Sequence, residues 1–223
     1  MRHIDYIYDS VKSPFHDENE DKTLVIKADK YYLYFLFDGV GSASHAINAI
    51  EISFDFISKK YKNYEQGQKF QLSKLMYDTH TQIINSGLSE ALSTYIAMFI
   101  PIDENQEVTI SSMGDSRIYA VSNQYITKYT EDDSVPNVEN AITKSLGMLK
   151  LKEVDFSQKD FRPNEQRYLF CSDGFYKLME NSVQSFYEIL NFSKFTNIKK
   201  ALQKNIIGNN TDDASYILIE IHV

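Results

Sequence analysis

An unbroken apolar and aromatic run extends from Tyr31 to Phe37 and ends at Asp38-Gly39. Such a run, followed by turn residues, predicts a buried strand that leads into a tight turn. After the turn, apolar residues recur at steps of three and four, which predicts an amphipathic helix, and a later segment repeats this pattern. The positions are Ile47, Ile50, Phe54, Ile57 and Tyr61 in the first helix and Leu72, Leu75, Met76, Thr79 and Ile83 in the second. We expect both helices to cover a sheet.

The middle of the chain has the pattern of a β-hairpin. A strand is predicted from Thr94 to Ile102, a turn from Asp103 to Asn105, and a returning strand where Val108, Ile110 and Ser112 alternate. Further predicted elements are strands at Arg117 to Ser122, Tyr125 to Tyr129, Arg167 to Cys171 and Ser215 to Ile221, helical material from Phe175 to Gly208, and a loop from Thr130 to Ala141 that contains Pro136. Strand clusters interleaved with helix pairs predict an α+β fold of two antiparallel sheets with helices outside.

Length and charge restrict the classes of protein that fit. A chain of 223 residues favours one domain, here residues 1–223, over two. A formal charge of −8 argues against a binder of nucleic-acid backbones, because such proteins need a cationic face to displace counterions. If the substrate is a phosphate, something other than the overall charge must attract it.

Cysteine content and hydropathy indicate a reducing, aqueous environment. Cys171 is the single cysteine, so no disulfide forms within the chain, and its apolar neighbours favour a buried inert thiol. No stretch approaches the roughly 20 apolar residues that span a bilayer, and the segment from Met1 to Ser10 lacks an apolar signal core. We expect a cytoplasmic protein with no membrane or nucleic-acid partner.

Three acidic residues lie where a predicted strand gives way to a turn, each beside a glycine: Asp38, Asp115 and Asp173. The pair Asp212-Asp213 precedes the last strand instead. Carboxylates gathered from distant segments repel one another unless cations compensate them, and hard oxygen ligands select Mg²⁺, Mn²⁺ or Ca²⁺. Taken singly, an Asp-Gly pair is also a common turn, so each position alone is a weak signal.

The order of six short motifs along the chain is more specific. They are Asn19-Glu20-Asp21, Asp38-Gly39-Val40-Gly41, Gly114-Asp115-Ser116-Arg117, Thr143-Lys144-Ser145-Leu146-Gly147, Cys171-Ser172-Asp173-Gly174 and Asp212-Asp213. In this order the motifs resemble those of the type 2C, metal-dependent serine/threonine protein phosphatases, in a compact form similar to the bacterial members. The resemblance covers nearly the whole chain, and six motifs in sequence make coincidence improbable.

The resemblance implies a four-layer αββα sandwich with a metal cluster at one end of the two sheets. By motif, Asp38 would bridge two Mg²⁺ or Mn²⁺ ions, the Gly39 carbonyl would bind one of them, and Asp173 and Asp212 would complete the other. Asp38, Asp173 and Asp212 are therefore the expected catalytic residues. Glu20 and Asp21 would bind the ions directly or through another ligand.

A third, weaker ion is also implied, beside Asp115 and Asp173. For Asp115 an alternative stays open, because its side chain could instead hold its turn through hydrogen bonds to the backbone. The resemblance further implies an enzyme in which a water held between two metal ions attacks phosphoserine or phosphothreonine. Its partners would be a phosphorylated protein and, in signalling, a serine/threonine kinase counterpart.

The chain departs from the family in its phosphate contact. Many members carry an arginine three residues before the asparagine of the first motif, where His16 stands in this sequence. His16 could be a weaker phosphate contact or a solvated loop histidine, since neutral histidine lacks the charged guanidinium fork. Lys12, Arg2 or Arg117 are other candidate cations. The missing arginine keeps open a second function, a non-catalytic regulatory module that binds a partner or phosphoprotein.

Overall fold

The computed structural model describes residues 1–61, 70–135, 138, 141–163 and 167–222. Within these residues the chain forms ten strands and five helices. The strands are β1 (His3–Val11), β2 (Asp21–Lys27), β3 (Tyr31–Gly39), β4 (Ser93–Pro101), β5 (Val108–Met113), β6 (Arg117–Val121), β7 (Ile126–Lys128), β8 (Lys159–Phe161), β9 (Arg167–Cys171) and β10 (Ala214–His222). The helices are α1 (Ala46–Lys60), α2 (Leu72–Asn85), α3 (Asp173–Asn181), α4 (Val183–Leu190) and α5 (Phe195–Ile206).

The described strands pair into two five-stranded antiparallel sheets. One sheet has the order β1-β10-β9-β6-β7 and the other has the order β2-β3-β4-β5-β8. Every strand pair in both sheets is antiparallel. The predicted α+β class with two antiparallel sheets is confirmed.

Strand β3 shows why the apolar run is unbroken. Leu33, Phe35 and Phe37 face one apolar cluster, and Tyr32 and Leu36 on the opposite face belong to another. Because side chains alternate between the two faces of a strand, a strand buried on both faces needs apolar residues at every position. The run therefore marks a strand in the middle of the layered structure.

Three apolar clusters separate the four layers. The first lies between the helix pair α1 and α2 on one side and the outer face of strands β2, β3 and β4 on the other. The second lies between the two sheets, and the third lies between the other sheet and α3, α4 and α5. Both predicted amphipathic helices cover a sheet, as expected, and the order of layers is the αββα sandwich. None of the helices in the described part of the chain is both long and apolar enough to cross a bilayer.

Some elements differ from the sequence-based expectation. The periodicity did not predict β1 and β2, whose positions are only partly buried and partly polar. The helical material predicted from Phe175 to Gly208 is three helices, the first of which begins at Asp173. The predicted loop from Thr130 to Ala141 lies partly outside the described residues, and Pro136 is among those not described.

The two sheets bring distant segments together at one end. Asp21, the first residue of β2, lies opposite Asp38 near the end of β3. In the other sheet, β10 begins one residue after Asp213 and pairs with β9, which ends two residues before Asp173. Four acidic positions from separate parts of the sequence therefore meet at the same end of the sandwich.

Candidate metal centre

A cavity of about 320 Å³ opens at this end of the sandwich. Carboxylate side chains and glycine-rich backbone form most of its wall. All eight site residues predicted from the sequence line it: His16, Glu20, Asp21, Asp38, Gly39, Asp115, Asp173 and Asp212. The fold therefore brings the whole predicted set together, along with Asp213, Val40, Gly41, Ser42 and Ile142.

We call Asp21 and Asp38 the strand side of the cavity, because both lie on the paired strands β2 and β3. Residues directly opposite in an antiparallel pair have Cβ atoms about 4.5–5.5 Å apart, so these two carboxylates are neighbours. Asp21 is buried and accepts a 2.7 Å hydrogen bond from Ser172 Oγ. Burial raises the pKa of both carboxyl groups well above the usual range, and neighbouring carboxylates raise it further.

Gly39 is packed against the first motif. Its backbone N–H donates a 2.8 Å hydrogen bond to the Glu20 carbonyl, and a Cβ placed on Gly39 would lie 3.0 Å from the Cβ atoms of Glu20 and Ala46. The glycine therefore allows the start of β2 and the end of β3 to approach closely. Burial raises the pKa of Glu20, whose side chain lines the same cavity.

We call Asp115 and Asp173 the helix side of the cavity, because both line it, Asp173 is the first residue of α3, and its charge acts on Asp115. Burial, followed by the charge of Asp173, raises the pKa of Asp115 to about 6. The turn before Asp115 is held by Asp133, whose carboxylate accepts a 3.2 Å hydrogen bond from Gly114 N. Asp133 N in turn donates a 2.8 Å hydrogen bond to the Gly114 carbonyl. The turn therefore has a support other than Asp115.

Among the described residues that line the cavity, Asp173 forms the shortest ion pair with a basic residue. Lys177, one turn further along α3, places its Nζ 2.7 Å from Asp173 Oδ2. The start of this helix also lies against the last motif, because a Cβ on Gly174 would come within 2.2 Å of the Asp213 carbonyl oxygen. A glycine is required there by the close approach of the two backbones.

Asp212 and Asp213 have different environments although they are adjacent in sequence. Asp212 is partly exposed and lines the cavity, and its pKa is raised by burial and by the charge of Asp173. Asp213 is buried at 3% exposure. Its Oδ1 accepts a 2.6 Å hydrogen bond from Ser13 N, and its Oδ2 accepts a 2.7 Å hydrogen bond from Glu20 N. Asp213 therefore fixes the loop that leads into the first motif.

Sequence reasoning gave Asp213 no role, and no motif distinguishes it from Asp212. The structure places its Oδ2 3.2 Å from His16 Nδ1, while Asp212 Oδ1 lies 3.8 Å from the same nitrogen. The ligand atoms of these three residues lie within 4.8 Å of one another. Both Asp213 oxygens already accept backbone hydrogen bonds, so we interpret the group as a support for His16.

His16 is therefore a held side chain and not a freely solvated one. The hydrogen bond to Asp213 raises the pKa of His16, opposed by partial burial and reinforced by the nearby carboxylates. The other candidate cations are not among the residues that line the cavity. Arg2 donates to the carbonyls of Pro101, at the end of β4, and Asp103; Arg117 pairs with Asp132 at 2.8 Å, and Lys12 Nζ donates to the His16 carbonyl.

The donor set fits divalent cations of the Mg²⁺ and Mn²⁺ class. The available ligands are carboxylate and carbonyl oxygens, which these hard ions prefer. Asp38 is surrounded by the charges of Asp21, Asp173, Asp115 and Asp212, which all raise its pKa after burial. This crowding of negative charge is unfavourable in the absence of cations, so the residues present suit a metal cluster.

Known structures share this architecture. The sequence matches no protein-family model and no curated protein. The serine/threonine phosphatase Stp1 from Staphylococcus aureus superposes with a TM-score of 0.83 at 19% identity, covering 99% of this chain and 96% of that one. The catalytic domain of the phosphatase PstP in complex with two manganese ions gives 0.73 at 16% identity and 100% coverage of both chains.

RsbX in complex with magnesium gives a TM-score of 0.71 at 16% identity, covering 99% of this chain and 96% of that one. At these identities the likeness concerns the fold. It agrees with the two antiparallel sheets and the outer helix layers described above. The chain therefore has the type 2C phosphatase fold that the order of its motifs predicts.

Proposed function

We propose that this protein is a metal-dependent phosphoprotein phosphatase that hydrolyses phosphoserine and phosphothreonine. The observation that carries the proposal is the convergence of six carboxylates, from five separate segments, on one cavity in a fold shared with serine/threonine phosphatases. These residues are Glu20, Asp21, Asp38, Asp115, Asp173 and Asp212. Such a concentration of buried negative charge has a ready chemical use when divalent cations bind to it.

The residues divide the work of holding the ions. Asp38 lies at the centre of the acidic group and is the proposed bridge between two ions, with the Gly39 carbonyl beside it. Asp173 and Asp212 are the proposed ligands on the opposite wall. Two Mg²⁺ or Mn²⁺ ions held in this way would supply an activated water and would offset the charge of the phosphate oxygens.

The charge of the cavity accounts for the dependence on metal. Without cations, the wall repels a phosphate monoester, because the carboxylates outnumber the basic groups in contact with it. His16 is the proposed protein contact to the phosphate. Because Nδ1 faces the Asp213 carboxylate, Nε2 is the ring nitrogen left for a phosphate oxygen, to which it donates when the imidazole is protonated.

Neither the thiol nor the hydroxyl of the Cys171-Ser172-Asp173-Gly174 motif is suited to act as a covalent nucleophile. Cys171 is buried, and burial keeps the pKa of its thiol well above the usual range, so the reactive thiolate does not form. Ser172 is also buried, and its hydroxyl donates to Asp21 Oδ2. Attack by water is therefore the chemistry that the residues favour.

Phosphate release from synthetic phosphopeptides tests the proposal. The purified protein should release phosphate from phosphoseryl and phosphothreonyl peptides only when Mn²⁺ or Mg²⁺ is present, and a phosphotyrosyl peptide should be a poorer substrate. Release that is unaffected by a chelator would contradict the metal-dependent mechanism. The physiological partners that we propose are a phosphorylated protein and the kinase that modifies it, and capture with an Asp38→Asn variant would identify the former.

A second candidate is a non-catalytic module that binds a phosphoprotein. The observation that favours it is His16, which stands where many relatives have a phosphate-binding arginine and which is itself engaged by Asp213. The two candidates separate in one experiment. A module binds the phosphopeptide in the presence of Mn²⁺ and returns it intact, whereas an enzyme releases phosphate.

A further inference from the structure

Lys177 is a basic residue beside the cavity, in contact with its wall at Asp173, that the proposed function does not use. It lies one helical turn after Asp173 on α3, and its Nζ is 2.7 Å from Asp173 Oδ2. The side chain is 45% exposed, whereas the Asp173 side chain is only 15% exposed, so the ammonium group reaches from the surface toward a nearly buried carboxylate. The other helical lysine–aspartate pairs four residues apart in the described part of the chain are longer, at 3.3 Å and 3.5 Å.

Further carboxylates act on the same ammonium group. The charges of Asp212 and Asp115 add to that of Asp173 in raising the pKa of Lys177 against the effect of burial. The charge of Lys177 in turn opposes the effect that Asp173 has on Asp115. The ammonium group therefore contacts Asp173, and its charge also acts on Asp115, the other carboxylate of the helix side.

We propose that the Lys177 ammonium is a built-in counter-cation that takes the place of a third metal ion beside Asp115 and Asp173. The chain would then bind two divalent ions, whereas the same chain without Lys177 would bind three. A monovalent ammonium tethered to α3 cannot dissociate, so it compensates this side of the cavity at any metal concentration. The inference rests on the proposed function for the presence of the other two ions.

The other basic groups near the cavity do not offer the same compensation. Arg117 is engaged by Asp132 and Glu180 at 2.8 Å and 2.7 Å, and its guanidinium group stacks on the Tyr176 ring at 3.7 Å. His16 lies against Asp212 and Asp213, and within the described residues it forms no ion pair with Asp115 or Asp173. Within the described residues, Lys177 is the basic side chain that forms an ion pair with a member of the helix side.

The test compares Lys177→Met with Lys59→Met by counting bound ions. Lys59 forms the same type of pair with Asp55, four residues before it on α1, but both side chains are more than 70% exposed and lie away from the cavity. Isothermal titration with Mn²⁺ should give two ions for the wild type and for Lys59→Met. Lys177→Met should bind a third ion, with an affinity at least about tenfold higher than any third-site binding by the wild type.

Two further variants keep the count interpretable. Lys177→Arg retains the charge and should bind two ions, and Asp115→Asn combined with Lys177→Met should lose the third ion again. Equal Mn²⁺ counts and affinities for Lys177→Met and the wild type would overturn the inference.

A second readout separates this inference from the proposed function. In the presence of a chelator, Lys177→Met should melt at a lower temperature than Lys59→Met, because the helix side then has no compensating charge. If the wild type binds no Mn²⁺, the proposed function fails. The melting temperatures of Lys177→Met and Lys59→Met then decide whether Lys177 compensates the carboxylates. Equal melting temperatures would overturn that role too.

Discussion

The two sides of the acidic cavity are built differently. On the strand side, Asp21 and Asp38 lie opposite each other in adjacent strands, and within the described residues no basic side chain forms an ion pair with either. On the helix side, Asp173 has Lys177 at 2.7 Å, and the charge of Lys177 reaches Asp115. Among the described residues, the helix side therefore has a protein cation of its own and the strand side has none.

The difference follows from the elements that supply the residues. A strand buried on both faces, such as β3, has apolar residues at every position before Asp38, so a lysine has no exposed place on it from which to reach Asp38. A helix start at the surface can place a lysine four residues later on the same face. Compensation by protein charge is therefore available at α3 and not at β3.

The largest expected effect comes from removing one carboxylate on each side. Asp38→Asn and Asp173→Asn should each lower Mn²⁺-dependent phosphate release about a thousandfold or more, because each removes a proposed ligand of the two metal ions. Their stability in chelator should differ. Asp38→Asn should melt at or above the wild-type temperature, since it relieves repulsion, by about 2–4 °C for each kcal/mol gained. The melting temperature of Asp173→Asn in chelator should rise less, because this variant also loses the salt bridge between Asp173 and Lys177.

Thermal unfolding with and without chelator measures this difference, alongside a phosphate-release assay. If Asp38→Asn and Asp173→Asn melt at the same temperature in chelator, the two sides of the cavity do not differ in how their charge is compensated. Wild-type turnover by Asp38→Asn would remove it from the proposed ligands.

A second test concerns the contact that joins the helix side to the last motif. Gly174→Ala should destabilise the protein by about 2–4 kcal/mol, because the new Cβ would lie 2.2 Å from the Asp213 carbonyl oxygen. Gly41→Ala is the matched control, since nothing lies within 4 Å of its Cβ position, and we expect a change within about 0.5 kcal/mol. Urea unfolding of both variants measures the effect, and equal stabilities would contradict the close packing.

The pH dependence of stability tests the helix side alone. The pKa of Asp115 is raised to about 6, against about 3.9 in an unfolded chain. A raised carboxyl pKa gives stability that is fully present below the unfolded value and is lost as pH rises through the folded value. In chelator, the wild type should therefore lose about 1–2 kcal/mol more than Asp115→Asn between about pH 4 and 7.

Urea unfolding of the two proteins across this range gives the difference directly. Histidines are common to both proteins, so their titration cancels in the comparison. Parallel stability curves would show that Asp115 is not the group that titrates.

The smallest expected effect is at His16. His16→Arg should lower KM for an aryl phosphate about three- to fivefold, because arginine offers a permanent charge and two donors. Asp212 and Asp213 lie against the same position and will engage part of that charge, which limits the gain. Steady-state kinetics with saturating Mn²⁺ measure it. His3→Arg, at a remote and exposed histidine of β1, is the control, and an unchanged KM for His16→Arg would show that position 16 does not contact the phosphate.

Much of the fold was determined by local patterns. The apolar run of β3 and the three- and four-residue spacing in α1 and α2 follow from burial on two faces or on one, and a sequence shows this directly. Periodicity did not predict β1 and β2 because both strands are partly exposed. Their structure is decided by pairing, of β1 with β10 and of β2 with β3. Periodicity is informative only where burial repeats along the element.

The sequence by itself predicted six of the seven carboxylates that line the candidate site, because the order of the six motifs can be read without the fold; it did not predict Asp213. Only the tertiary structure decided how those carboxylates are compensated. It placed Asp21 opposite Asp38, engaged Arg117 with Asp132, held His16 through Asp213, and brought Lys177 to the helix side. The physical reason is that charge interactions depend on distance and burial, and both are set by segments that lie far apart along the chain.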